Sequence, residues 1–143
     1  MTAIKRERIL AAVASALATT TGVSGRVYRS RVEAFARNDA PAIVIEPGDD
    51  VPAEPPVSGC RIDWRLDVMV HVHTRGPIPE QLAAPIVASL HGLLMADRTL
   101  GGLAMETWPG PVQHQREQGD ATAGWTSCRY VVRYRTTVND LTS

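Results

Sequence analysis

The amino-acid sequence predicts an α+β domain: a mostly antiparallel sheet of about five strands with two helices packed on one face, in the order α-β-β-β-α-β-β. Three observations predict it. The run "RIDWRLDVMVHVHTR" at 61–75 alternates apolar and polar residues, the period of a strand buried on one side only. Two other segments repeat their large apolar residues at helical spacing. Every strand with clear alternation has one apolar and one polar face, as in an antiparallel sheet covered on one side. At 143 residues the chain is expected to form a single domain, 1–143, with a core that needs no staples.

The first helix carries Ile9, Leu10, Val13 and Leu17 on one stripe, with Ala12 and Ala16 between them, an amphipathic helix of about four turns. Lys5, Arg6, Glu7 and Arg8 form its wet first turn, Thr2 is placed to cap it, and Gly22 with Gly25 ends it. A basic start followed by alanines superficially resembles a secretory leader. Glu7 interrupts that basic segment and the larger residues keep helical spacing, so a folded helix is expected. No segment approaches the ~20 consecutive apolar residues that cross a bilayer.

"RVYRSRV" (26–32) reads as a short edge strand, with Arg26, Tyr28 and Ser30 on one side and Val27, Arg29 and Arg31 on the other. "EAFARNDA" connects it to "APAIVIEP" (40–47), a β-branched run bounded by prolines and hence a second strand. "GDDVPAEPPVSG" (48–59) holds three prolines and three acidic residues and is expected to be a long acidic loop, incompatible with regular helix or central sheet. The alternating run follows. It sets Ile62, Trp64, Leu66, Val68, Val70 and Val72 toward the core, and Arg61, Asp63, Arg65, Asp67, Met69, His71 and His73 away from it. The second helix has the stripe Leu82, Ile86, Leu90, Leu93 and Leu94 and stops at "LGG". Pro85 allows two starts, one near Ala84 and one at Pro79 with the proline inside. Two strands close the chain: 104–118, broken by Pro109 and Pro111, and 124–138, joined by "GDATAG". The latter directs Cys128, Tyr130, Val132 and Tyr134 inward and Ser127, Arg129, Arg133 and Arg135 outward.

Fifteen basic residues balance fifteen acidic ones, which argues against a dedicated nucleic-acid binder and leaves little self-repulsion to oppose association. Cys60 and Cys128 lie far apart in no metal-type spacing; two reduced thiols are the expectation, with a disulfide as the alternative.

His71 and His73 stand two apart on one strand and so point the same way, which could supply two ligands of a zinc site. The third would have to be His114, Asp67 or a loop carboxylate, and no spacing brings one near. The expectation is that both histidines continue the polar face, with no metal, no cofactor and no catalytic residues; a small metal-dependent enzyme using His71 and His73 is the alternative. The serines sit in no nucleophile-elbow context, Cys128 is expected in the core, and Gly101-Gly102 is a helix stop.

What remains is surface. Asp63, Arg65 and Asp67 on one strand and Arg129, Arg133 and Arg135 on another would pair across the sheet if the strands are neighbours. The bland reading is a solvated ionic face. The functional one is a docking surface, with Met69, Val131 and Trp125 as apolar anchors inside a charged rim. Asp49 and Asp50, in the acidic loop, are further candidate contacts.

These elements together resemble the tail terminator (tail completion) proteins of long-tailed bacteriophages, the minor tail protein U type. The resemblance is carried by "IKRERILAAVASAL", "VYRSR", "APAIVIEPGDD", "RIDWRLDVMVHV", "LMADRTLGGL" and "YVVRYRTTVND", which span nearly the whole chain. It implies a structural virion protein without catalysis or cofactor. The subunit would form a hexameric ring that caps the head-proximal end of the tail tube, stops polymerisation and offers the head-joining surface. The implied partners are further copies of the chain, the major tail tube protein and a head-tail connector protein. No membrane is implied, and DNA only as it passes through the lumen; assembly would occur in the host cytoplasm. Another neck component, a head-closure or adaptor protein, is the alternative inside that setting.

Overall fold

Alternation along 61–75 places the whole architecture, because a strand with one apolar face must be covered on that face and paired along both edges. In the computed structural model, which describes residues 2–29, 40–53, 59–117, 119 and 122–143, this strand is the centre of the sheet. The elements run α1 (Lys5–Leu17), β1 (Val27–Arg29), β2 (Ala42–Pro52), β3 (Arg61–Arg75), α2 (Pro79–Met95), β4 (Glu106–Arg116) and β5 (Ala123–Thr137). The sheet order is β1-β2-β3-β5-β4. Every pairing is antiparallel except β1 with β2, which is parallel. The α+β class and the element order are those the sequence predicts.

Both helices lie on one face. Ile9, Leu10, Val13 and Leu17 of α1 and Ala83, Ile86, Leu90 and Leu94 of α2 are buried against Ile43 and Ile45 of β2, Leu66, Val68, Val70 and Val72 of β3, and Cys128, Tyr130, Val132 and Tyr134 of β5. Burying each of the larger of these side chains contributes roughly 1.5–3 kcal/mol. Trp64 is only half-buried: it stacks on Tyr134 with ring centroids 6.3 Å apart and donates its indole N–H to Thr136 Oγ1 at 2.9 Å.

Several boundaries differ from expectation, each for a physical reason. Thr2 does not cap α1. Ile4 is the capping residue, and the orphan N–H of Lys5 is taken by the Leu141 carbonyl at 2.8 Å, so the C-terminal segment does the work a side chain would have done. The second helix starts at Pro79 and carries the exposed Pro85 in its interior. Leu82 is not in the core stripe: it is 46% exposed, and Ala83 occupies the buried position. α2 ends where Asp97 accepts hydrogen bonds from the Thr99 and Gly101 amides, and Leu100, Gly101 and Gly102 all take positive φ, a turn that glycines enter without strain.

The acidic loop begins later than expected. Residues 48–52 belong to β2, which resumes after a bulge between Pro47 and Asp50 and pairs Val51 with Arg65 and Pro52 with Trp64. Prolines are tolerated there because β1 pairs only with 43–45, so among the described residues nothing adjoins the outer side of β2 beyond Ile45. The strand predicted over 26–32 is described as strand over 27–29 alone; residues 30–32, most of the following connection and residues 54–58 of the loop lie outside the described residues. Cys60, at the head of β3, is exposed, and Cys128 is buried opposite Val70, ten residues along β3. At about 3.3 Å per residue the two are far beyond disulfide reach. Both thiols are free.

Leu66→Ala is expected to cost about 3 kcal/mol or more, as a fully buried large-to-small change, and Trp64→Ala less, since that ring is only partly buried. Urea unfolding of the two variants orders them; a larger loss at Trp64 would contradict the burial seen here.

Candidate interaction surface

The face of the sheet away from the helices is where most of the candidate residues lie. The register stacks it in rungs: Asp63 with Arg135, Arg65 with Arg133, Asp67 with Val131, Met69 with Arg129, His71 with Ser127, and His73 with Trp125. On the flanks, β2 adds Val51 beside Arg65 and Glu46 beside Met69, while β4 adds Glu106 beside Arg133 and Trp108 beside Val131.

The rungs behave differently. Asp63 and Arg135 form a two-pronged ion pair, Nε to Oδ1 at 2.5 Å and a terminal nitrogen to Oδ2 at 3.1 Å. The guanidinium hydrogen bonds hold the Asp63 carboxyl below the usual carboxylate range, and Asp63 in turn raises Arg135. This pair is satisfied within the subunit. One rung along, Arg65 and Arg133 are both exposed and stand directly opposite each other, an arrangement of like charges that costs stability. Arg129 and Asp67 are half-buried beside them. The Arg129 Nε is buried without a hydrogen-bond partner among the described residues.

Asp49 and Asp50 separate across the β2 bulge. Asp49 is exposed. Asp50 turns to the helix side, where its Oδ2 accepts a 2.6 Å hydrogen bond from the Tyr134 hydroxyl and sits 3.7 Å from Arg6. Burial outweighs both contacts and raises the Asp50 pKa above its ordinary value. Asp50 is thus a structural residue tying β2 to β5 across β3, and it is withdrawn from the surface to which it was assigned by sequence.

At the opposite end the free face is not wet. His73 is fully buried; its Nε2 shares a 2.7 Å hydrogen bond with Glu117 Oε1, and its ring lies 4.6 Å from that of Trp125. Trp125 also packs with Ala42, Val44 and Tyr28 in a small second core. His73 therefore does not continue the polar face, because its cross-strand neighbour is the one large aromatic on that side of β5. Trp125 is likewise spent on packing rather than offered as a docking anchor. His71 is half-buried, hydrogen-bonded through Nδ1 to Ser127 Oγ at 2.7 Å and 3.6 Å from Glu46. His114 faces the helix side, where its Nδ1 shares a 3.1 Å hydrogen bond with Thr126 Oγ1, and Asp67 lies four residues from His71, about 13 Å along the strand. Among the described residues no three His, Cys, Asp or Glu side chains gather as a metal ligand set.

Trp108 is the residue that sequence reasoning missed. It is 57% exposed on the edge strand β4, with the Arg98 guanidinium 5.8 Å from its ring centroid and Arg98 Nε 3.3 Å from Glu106. Its signal was in the run itself: an aromatic immediately before Pro109 and Pro111 sits on a strand that prolines confine to an edge. On the helix side α2 leaves an open apolar groove beside β4, lined by Ala84, Val87, Ala88 and Val112. Cys128 is pushed up to about 11 by burial and is an unreactive thiol.

No family model matches the chain, and no curated protein is found to be similar to it. Among solved structures the chain is similar to one from "Virion of native gene transfer agent (GTA) particle", at 12% identity and a TM-score of 0.44, over 93% of this chain and 92% of that one.

The depressed Asp63 carboxyl sets a pH dependence. Its stabilising share is complete above the unfolded value of about 4 and is lost as pH falls through the lower folded value. Asp63→Asn is expected to be less stable than wild type at neutral pH and to show a shallower loss on acidification, measured by urea unfolding across that range. Parallel acid slopes for the two proteins would show the pair to be uncoupled from folding.

Proposed function

We propose that this chain is a structural subunit that assembles into a ring, and that the ring is the tail terminator of a long-tailed phage. In that role it sits at the head-proximal end of the tail tube, stops tube growth and offers the surface to which the head is joined. The observation that carries the reading is the free face of the sheet. Arg65 and Arg133, both exposed, stand directly opposite each other, and Trp108 and Val51, 57% and 52% exposed, lie on the same face. A folded monomer has no use for such a row, since like charges opposite each other weaken the sheet that bears them. Contact with another protein chain relieves both costs, covering the apolar groups and supplying carboxylates.

The resemblance of the sequence to tail terminators supplies the identity of that contact. A closed ring needs two different, mutually complementary patches on each subunit, and a single-layer sheet with helices on one side has separate edges to provide them. The partners under this reading are neighbouring copies of the chain, the tail tube protein on one side of the ring and a connector protein on the other. The protein's location is then the virion.

Two measurements test it. Added to a polymerising tail tube protein, the chain is expected to shorten the tubes and to be found at one end of each; unchanged tube lengths would sink the terminator role. Arg133→Glu is expected to fold normally, as judged by its melting curve, and to impair assembly, as judged by mass in solution or on the tube. Ring formation at the wild-type level by that variant would remove the sheet face from the contact.

A further inference from the structure

Two stretches of sheet edge among the described residues, β2 beyond its pairing with β1 and the outer strand β4, are chemically opposite. Beyond Ile45, β2 is bare on its outer side among the described residues, and it presents Glu46, Pro47, Gly48, Asp49 and Val51 around its bulge. Glu46 is half-exposed, Asp49 exposed, and Val51 52% exposed. At the other edge β4 presents Trp108, with Arg98, Arg129, Arg133 and the carboxylate of Glu106 beside it. One edge is acidic and the other carries an excess of arginine with an exposed indole.

These edges sit at the same height. A Cβ on Gly48 would lie 3.1 Å from that of Asp67, Asp67 is paired with Val131, and Val131 with Trp108, so the acidic bulge and the indole are on one rung. The β4 bulge, between Pro109 and Val112, lies within a rung of it. Three strand spacings, about 14 Å, separate β2 from β4. Prolines 47 and 52 on one edge and 109 and 111 on the other interrupt the donors that a continuous inter-subunit sheet would need. Contact between the two edges must therefore be made by side chains.

We infer that the acidic bulge of β2 in one copy docks on the Trp108 edge of the next copy, Asp49 and Glu46 meeting Arg133 and Arg98 around the indole. The inference rests on the ring reading and assigns its subunit contact. The occupant is a second copy because the complementary charge is on this chain itself, at the same height on the opposite edge, which is what a head-to-tail contact repeated around an axis requires. An exposed tryptophan flanked by arginines is the residue combination on which interface energy concentrates.

Cysteines at the two exposed bulge prolines read the contact while leaving every charge and the indole in place. In a Cys60→Ser background, Pro47→Cys chains mixed with Pro111→Cys chains are expected to form the mixed disulfide in preference to either homodimer. A chain carrying both is expected to give a ladder of linked copies that ends at the mass of a closed ring. Homodimers outrunning the mixed species would overturn the head-to-tail pairing in favour of a two-fold one. Rings of normal mass without the mixed disulfide would overturn this contact and leave the ring reading standing. A chain that stays monomeric at its highest soluble concentration, alone and on tail tubes, with no mixed disulfide, would overturn both. As an independent arm, Asp49→Arg is expected to raise the concentration for half-assembly by about tenfold or more, and Arg133→Glu in the same chain to recover much of it; no effect of Asp49→Arg overturns the assignment.

Discussion

The pairing of β3 with β5 is the constraint on which the rest depends. All fifteen residues of β3 are in register with β5, and the two strands between them bury Leu66, Val68, Val70, Val72, Cys128, Tyr130, Val132 and Tyr134 under the helices. A slip by one residue would turn this row to solvent and bring the arginines inside, so the register is strongly specified. The helices then have one surface to cover, and the positions of α1 over β1 and β2 and of α2 over β3 and β5 follow from it.

The edge strand β4 and the stretch of β2 beyond its pairing with β1 carry the same devices. Each has a pair of prolines and a bulge, and each bulge is seated by a glycine close against its neighbour: Gly48 against Asp67, and Gly110 against the Arg129 backbone and stem. Bulges and prolines prevent strands of other molecules from extending the ladder. They leave the side chains at those edges free to act, which separates the wish to avoid aggregation from the need to assemble.

Electrostatics divides the polar face in a way that net charge conceals. A total of zero describes equally a surface in which every charge is paired and one in which acid and base are segregated. Here Asp63–Arg135, Arg98–Glu106 and Asp50–Tyr134 are internal accommodations, while Asp49 on β2, Arg65 on the central strand and Arg133 toward β4 are exposed. Exposed ion pairs add little to stability on their own. Their placement matters more for which surfaces can meet than for whether the subunit folds.

How much of this was legible in the sequence follows from what periodicity measures. The central strand, both helices and the inward set Cys128, Tyr130, Val132 and Tyr134 were readable, since alternation and helical spacing report directly which way a side chain leaves its own backbone, whereas the meeting of Asp63 with Arg135 waited on which strands pair. What a neighbouring element then places over that side chain is not in the period. His73 leaves β3 on the polar face and is buried because Trp125 stands opposite it. Asp50 is turned inward because a bulge shifts the register by one, and Leu82 is exposed because the core contact is made by Ala83. Residues 48–52 extend β2 where, among the described residues, nothing adjoins its outer side. Local chemistry decided the elements and their faces; only the assembled sheet decided which polar groups were spent inside it and which were left at its edges.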